Sequence, residues 1–224
     1  MWLPQPRAAN KILLRSLLDI TPDEVDSSVS EDLIRAVVGQ RNVKSEEEIR
    51  EIEKALDISV EMNTIAMRES QPGLIEQEVY GKIEGAVLSH SSHVSFPVIF
   101  SVHGETLHNH VHQNKMKEGD LLVMDSGAES PLHYASDITR TIPVSGTFTP
   151  EQKEIYEIVL NSQLESIEMM KPGVTNREAH LRAAAVIAEG MRELGFMKGS
   201  PEDIVAAGAH ALFFPHGLGH MIGL

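Results

Sequence analysis

Two aspartates, each in a segment typical of a β-strand, are the residues best placed to do chemistry. Asp125 ends the apolar run LLVMD, and Asp137 lies in SDITRT. If these strands pair antiparallel, opposite residues have Cβ atoms about 4.5–5.5 Å apart, and the two carboxylates share one site. Such a pair needs a counter-charge, which in hydrolases is commonly a pair of divalent cations. Alternatively, Asp125 begins a turn with Ser126 and Gly127, and Asp137 pairs with Arg140.

A histidine pair near the end of the sequence forms a second candidate. His216 and His220 are four residues apart, but Gly217 and Gly219 lie between them. Glycines here favour a bent strand that approaches a ligand closely over a helical zinc motif. A pair of this kind is as often structural as functional.

A third candidate is the segment LHNHVH. If it is extended, His108, His110 and His112 lie on one face, where they could bind zinc. The alternative is a polar edge strand, with the imidazoles of His110 and His112 facing water.

The composition excludes several classes of function. With 33 acidic and 19 basic side chains, the formal net charge of -14 repels phosphate backbones and anionic lipid. We therefore expect neither nucleic acid nor membrane as a partner. The absence of cysteine excludes thiolate metal sites and a cysteine nucleophile. No apolar run reaches the roughly 18 residues of a membrane span, and no signal peptide is evident, so we expect a soluble, cytoplasmic protein. No P-loop, dinucleotide-binding turn or nucleophile elbow is present.

Two pairs of helices must position these residues. Ser45 and Glu48 form a capping box that predicts a helix start, and this helix should end near Gln71-Pro72-Gly73. The next helix carries Val79, Ile83 and Val87 on one face. The arrangement recurs with a helix from Pro150 to Lys171-Pro172-Gly173 and a further helix through Ile187. The repeated Pro-Gly break indicates two related halves.

Strand patterns lie between these helix pairs. We predict strands over residues 93–102, 107–112, 121–124 and 134–144, and a final strand over 211–214. This order favours an α+β fold with a mostly antiparallel sheet and helices on one face. Before about residue 40, Pro4 and Pro6 break any regular pattern, and one short helix follows.

Taken together, four stretches resemble the creatinase-like, or pita-bread, metallopeptidases, and within them the Xaa-Pro aminopeptidases and dipeptidases. In order, they are GDLLVMDSGAE, SDITRTIPVSGTFTPEQKEIYEIV, MKPGVT and FFPHGLGHMIGL. The resemblance implies the pita-bread fold, a curved sheet with helix pairs outside and two pseudo-symmetric halves. It also implies hydrolysis of the peptide bond before proline in a peptide substrate.

The resemblance further implies roles for individual residues. Asp125, Asp137 and His220 would be metal ligands for two divalent cations, with manganese favoured over cobalt or zinc. His108 and His216 would contact the substrate and stabilise the developing oxyanion. Oxygen and imidazole ligands without sulfur suit such ions.

The sequence departs from the family pattern in one respect. The family site has two further glutamate ligands after HGLGH, but the last glutamate of this sequence is Glu202. We therefore expect a fragment, incomplete at the C-terminus and inactive as it stands. Residues 1–40 would be the remnant of an N-terminal domain and linker, and residues 41–224 a truncated catalytic domain. An unpaired sheet edge could also lead to a homo-oligomer.

Three other interpretations stay open. A non-catalytic binding relative of the fold is the main alternative, although it would not need all three ligands. Creatinase fits less well because that branch does without the metals. Methionine aminopeptidase fits less well because the DITRT-to-EIYEIV stretch resembles the proline-directed branch.

Overall fold

The computed structural model describes residues 8–224, apart from the side chain of Asp26. The chain divides into two compact units, one running to Glu51 together with Leu224, and one from Ile52 to Gly223. Pro4 and Pro6 lie outside the described residues, and the predicted boundary at residue 40 stays a prediction.

The described part of the first unit includes the helices α1 (Ala8–Leu18) and α2 (Glu31–Asn42), with a short 3-10 helix at Asp26–Ser28 between them. Ser30 caps α2, because its hydroxyl accepts a hydrogen bond from the Leu33 N–H at 3.2 Å. The predicted short helix corresponds to α2. The prediction missed α1, whose apolar side chains do not form a buried face.

Two helices, α3 (Glu46–Glu69) and α4 (Glu76–Ser89), precede the sheet. The capping box is confirmed, because the Ser45 N–H donates to Glu48 and the Glu48 N–H donates to the Ser45 hydroxyl. The predicted break is also confirmed, since α3 ends just before Pro72 and Gly73 has a φ of 102°. The predicted face of α4 is buried.

A three-stranded antiparallel sheet has the order β1 (Ile99–Ser101), β2 (Leu121–Ser126) and β3 (Ile138–Pro143). The predicted strand over 93–102 is mostly irregular, and only its last part forms β1. The predicted strand over 107–112 is wrong, because that segment is an irregular loop.

The core lies between α3, α4 and one face of the sheet. Alternate residues of β2 point into it, since Leu122, Met124 and Ser126 are buried while their neighbours are partly exposed. Phe100 from β1 and Met62 from α3 are fully buried in the same cluster. The opposite face of β2 carries Asp125.

The second helix pair consists of α5 (Pro150–Met169) and α6 (Asn176–Glu193), which pack against each other. Thr149 and Thr175 cap their N-termini. The short helix α7 (Pro201–Ala206) follows. The predicted strand over 211–214 is wrong, because a 3-10 helix spans Ala209–Leu212. Among the described residues, no helix is long and apolar enough to cross a membrane.

Candidate metal centre

The sheet register determines how the two aspartates meet. Asp125 pairs with Thr139, so Asp137 does not lie directly opposite it as the sequence suggested. Asp137 lies two residues before Thr139, just ahead of β3, and is the diagonal neighbour of Asp125 on the same face. The two carboxyl groups nevertheless interact, because Asp125 raises the pKa of Asp137.

The turn alternative for the aspartates is wrong. Asp125 lies inside β2 and accepts a hydrogen bond from the Thr139 hydroxyl at 2.8 Å. Arg140 instead donates to the Thr139 carbonyl oxygen. Sequence reasoning missed Thr139, although its place two residues after Asp137 is the signal that both side chains share one face of a strand.

The electrostatics of the pair show the cost of placing two carboxylates together. Burial raises the pKa of Asp137, and the adjacent Asp125 raises it further by repulsion and hydrogen bonding. His220 acts in the opposite direction, with its Nε2 3.2 Å from Asp137 Oδ2. A nearby positive charge therefore favours the ionised pair.

His220 reaches this place through the end of the chain. The Ala135 N–H donates to the Gly223 carbonyl oxygen at 3.3 Å, which ties the terminal segment beside the start of β3. The predicted bent strand over 216–220 is absent, since this segment is irregular and the bridge lies beyond it at Gly223.

The orientation of the His220 ring suits a metal ligand. Nδ1 lies 2.9 Å from the Met221 carbonyl oxygen, and because a carbonyl only accepts, Nδ1 must carry the proton. Nε2 lies 3.2 Å from Asp137 Oδ2, where a protonated nitrogen donates to the carboxylate, and the same nitrogen would bind a cation once it loses that proton.

The donor set has the right ligand types for a divalent cation, but its side chains are not arranged closely around one point. Two carboxylates and one imidazole are ligands of borderline or hard ions. Across residues 8–224, however, no group of three or more His, Asp or Glu side chains lies close enough together to hold a metal ion. His220 is mostly exposed and contacts Asp137 directly.

The other two predicted site residues lie apart from this pair. His108 is exposed, with a φ of 54°. His216 is exposed, donates from Nδ1 to the Gly217 carbonyl oxygen and lies 5.3 Å from the Phe214 ring. Within the described part of the chain, neither forms a hydrogen bond or ion pair with Asp125 or Asp137.

His216 lines a surface cavity of about 410 Å³ between the start of α6 and the terminal segment. His180 and His210, which the sequence assigned no role, also line it, with ring centroids 6.2 Å apart.

The rival zinc site is not formed. His112 is buried, with its ring stacked on Tyr80 at 4.0 Å and its Nδ1 3.0 Å from the Phe100 carbonyl oxygen. This contact also contradicts the edge-strand alternative for His112. His108 and His110 are exposed, and no metal-binding group is found among the described residues.

Residues 50–224 match the model of metallopeptidase family M24. Since the match covers most of the sequence, the chain belongs to this family.

The chain is also similar to individual proteins of this family. The chain is 38% identical over 216 residues to a probable Xaa-Pro aminopeptidase of Chaetomium globosum, covering 92% of this chain and 36% of that protein. It resembles the structure of proline aminopeptidase P II from Yersinia pestis, with a TM-score of 0.79 and 36% identity over 82% of this chain and 43% of that chain.

A zinc-substituted aminopeptidase P of Escherichia coli in complex with product is equally similar. Its TM-score is 0.79 at 36% identity, covering 82% of this chain and 42% of that chain. The predicted pita-bread fold is therefore confirmed. The chain spans less than half the length of these relatives.

Proposed function

We propose that this chain carries part of the active site of a metal-dependent peptidase that cleaves the bond before proline. The contact of Asp137 with both Asp125 and the Nε2 side of His220 is the observation that carries the proposal. The names of the relatives support the Xaa-Pro substrate class.

In this proposal Asp125, Asp137 and His220 hold two divalent cations, with manganese favoured over cobalt and zinc. The bound cations would activate water and polarise the scissile carbonyl group. Thr139 orients Asp125 through its hydroxyl hydrogen bond, and the Met221 carbonyl fixes the ring of His220.

The remaining roles fall to two exposed histidines. His108 and His216 bind the peptide and donate hydrogen bonds to the oxyanion that develops at the scissile carbonyl. The cavity beside His216 also has apolar walls from Phe214 and Pro215, which suit an apolar part of a peptide.

The 224-residue chain by itself should bind cations weakly and hydrolyse peptides at no measurable rate. Two carboxylates and one imidazole supply few donors for two ions, and each ion would keep most of its water ligands.

Manganese titration followed by electron paramagnetic resonance tests the metal site. We expect measurable binding that falls by about tenfold or more in Asp125→Asn, Asp137→Asn and His220→Ala. Asp57→Asn and His110→Ala are matched controls, since both side chains are exposed and lie outside the site. Unchanged affinity in all three site variants would refute the assignment.

A peptide assay tests the substrate class. With manganese, the chain should bind Xaa-Pro peptides more tightly than matched Xaa-Ala peptides and cleave neither at a measurable rate. Equal affinity for both would contradict the proline preference. Peptide binding with neither cleavage nor metal binding would favour the non-catalytic relative.

A further inference from the structure

The loop that carries His108 connects β1 to the approach of β2. His108 and His110 are exposed, and His108 has a left-handed backbone conformation that is uncommon for residues other than glycine. The contacts that hold this loop at its ends determine where the His108 imidazole lies.

The buried carboxylate of Glu76 contacts both ends of this loop. Glu76 is the first residue of α4 and is fully buried. At one end, its Oε1 accepts hydrogen bonds from the Val102 N–H at 2.8 Å and the Ser101 hydroxyl at 3.2 Å. At the other end, its Oε2 accepts from the Asn114 N–H at 3.2 Å and the Asn114 side-chain amide at 3.0 Å.

The network continues from Ser101 to the neighbour of His108. The Asn109 side-chain amide donates to the Ser101 hydroxyl oxygen at 3.3 Å. The side-chain oxygen of Asn109 then accepts from the Val111 N–H at 3.0 Å. A chain of hydrogen bonds thus leads from a buried residue of α4 to the residue beside the exposed imidazole.

The groups that contact the Glu76 carboxylate are hydrogen-bond donors, so the side chain at this position must be an acceptor. The Val102 N–H, the Asn114 N–H and the Asn114 amide group are all donors, and the Ser101 hydroxyl also donates. An ionised carboxylate accepts at both oxygens, whereas the amide nitrogen of glutamine would face a donor. The first turn of a helix further stabilises a negative charge.

We propose that Glu76 is a positioning residue for His108. Its carboxylate clamps the two ends of the loop over residues 102–114 and so fixes where the imidazole is presented to a bound peptide. The inference deepens the proposed function, because the role of His108 in peptide binding rests on that function.

Glu76→Gln tests the clamp in the whole 224-residue chain, because it preserves side-chain size and removes acceptor capacity. Amide hydrogen exchange in residues 102–114 should accelerate on the order of tenfold or more, above all at Val102 and Asn114, while exchange in β2 and α3 stays unchanged. The imidazole resonances of His108 should shift towards those of an unstructured histidine. Glu118→Gln, which removes an exposed charge, should change neither measurement.

Ser101→Ala provides a second test, since it cuts the branch to Asn109 but leaves the contacts of Glu76 with Val102 and Asn114. The imidazole resonances of His108 should shift in this variant, while the Asn114 amide should keep its protection against hydrogen exchange. Unchanged exchange and unchanged His108 resonances in Glu76→Gln would overturn the proposal. Exchange that accelerates equally throughout the domain would also overturn it, because Glu76 would then act on global stability alone.

These readouts need no catalytic activity. If Xaa-Pro peptides are neither cleaved nor bound, the proposed function fails, and the exchange data still decide whether Glu76 holds the loop.

Discussion

The two helix pairs, α3 with α4 and α5 with α6, share the same local helix signals but differ in burial. Each pair is interrupted by a Pro-Gly break whose glycine has a positive φ, at Gly73 and Gly173. Each following helix has a glutamate at its third position that accepts the N–H of the N-cap residue, Glu78 after Ile75 and Glu178 after Thr175.

The burial of the two pairs differs. Met62, Val79 and Ile83 of the first pair are fully buried against the sheet. In the second pair, α6 has a buried apolar face that includes Ile187 and Met191, whereas in α5 only Ser162 and Ser166 are buried and apolar residues such as Leu164 are exposed. Helix signals are therefore encoded locally in both pairs, whereas burial of an apolar face depends on what packs against it.

Phe100→Ala should have the largest effect on the comparison. Phe100 is fully buried where the sheet meets α3 and α4, and its truncation should cost about 3–5 kcal/mol of unfolding free energy. Chemical denaturation measures this loss. A cost below about 1 kcal/mol would mean that the first helix pair is no better packed than the second.

Gly127→Ala probes the close backbone contact just after Asp125. A methyl group at Gly127 would overlap the Ser136 carbonyl oxygen and the Ser95 hydroxyl, so we expect a loss of about 2–3 kcal/mol. Gly85→Ala in α4 is the control, because its added methyl meets open space and should stabilise by up to about 1 kcal/mol. Equal thermal stability of both variants would contradict the contact.

Thr175→Ala tests the local signal of the second pair. The Thr175 hydroxyl accepts the Glu178 N–H at 3.2 Å, and losing this cap should cost about 1 kcal/mol. Thr175→Ser retains the hydroxyl and should stay within about 0.5 kcal/mol of the parent. If thermal unfolding shows no difference between the variants, the cap does not stabilise α6.

Leu164→Gln should have the smallest effect. The side chain of Leu164 is 53% exposed, so the change should alter the unfolding free energy by no more than about 0.5 kcal/mol. A larger, concentration-dependent loss would instead indicate that a second copy covers this face. Sedimentation at several concentrations separates the two outcomes and tests the predicted homo-oligomer.

The sequence predicted most helices because their signals are local. Ser45 with Glu48 and the two Pro-Gly breaks act within a few residues. The segment over residues 107–112 was misread as a strand because its alternation of polar and apolar residues imitates one. Its hydrogen bonds instead go to distant partners, as in the bond from the Gln77 N–H to the His112 carbonyl oxygen.

The candidate site was predictable to a similar extent. Alternation along each strand predicts which face an aspartate occupies, but the shared sheet face and diagonal register of Asp125 and Asp137 depend on the pairing of whole strands. The approach of His220 depends on the contact between Ala135 and Gly223, which no local pattern encodes.

That contact has a consequence for the order of folding. Asp125 and Asp137 come together when two successive strands join, which requires closure of a short loop only. His220 lies much farther along the chain. The hydrogen bond from the Ala135 N–H to the Gly223 carbonyl oxygen holds its segment beside the sheet. Because closing a long loop costs more entropy than closing a short one, the acidic half of the centre should assemble early and the imidazole should dock last.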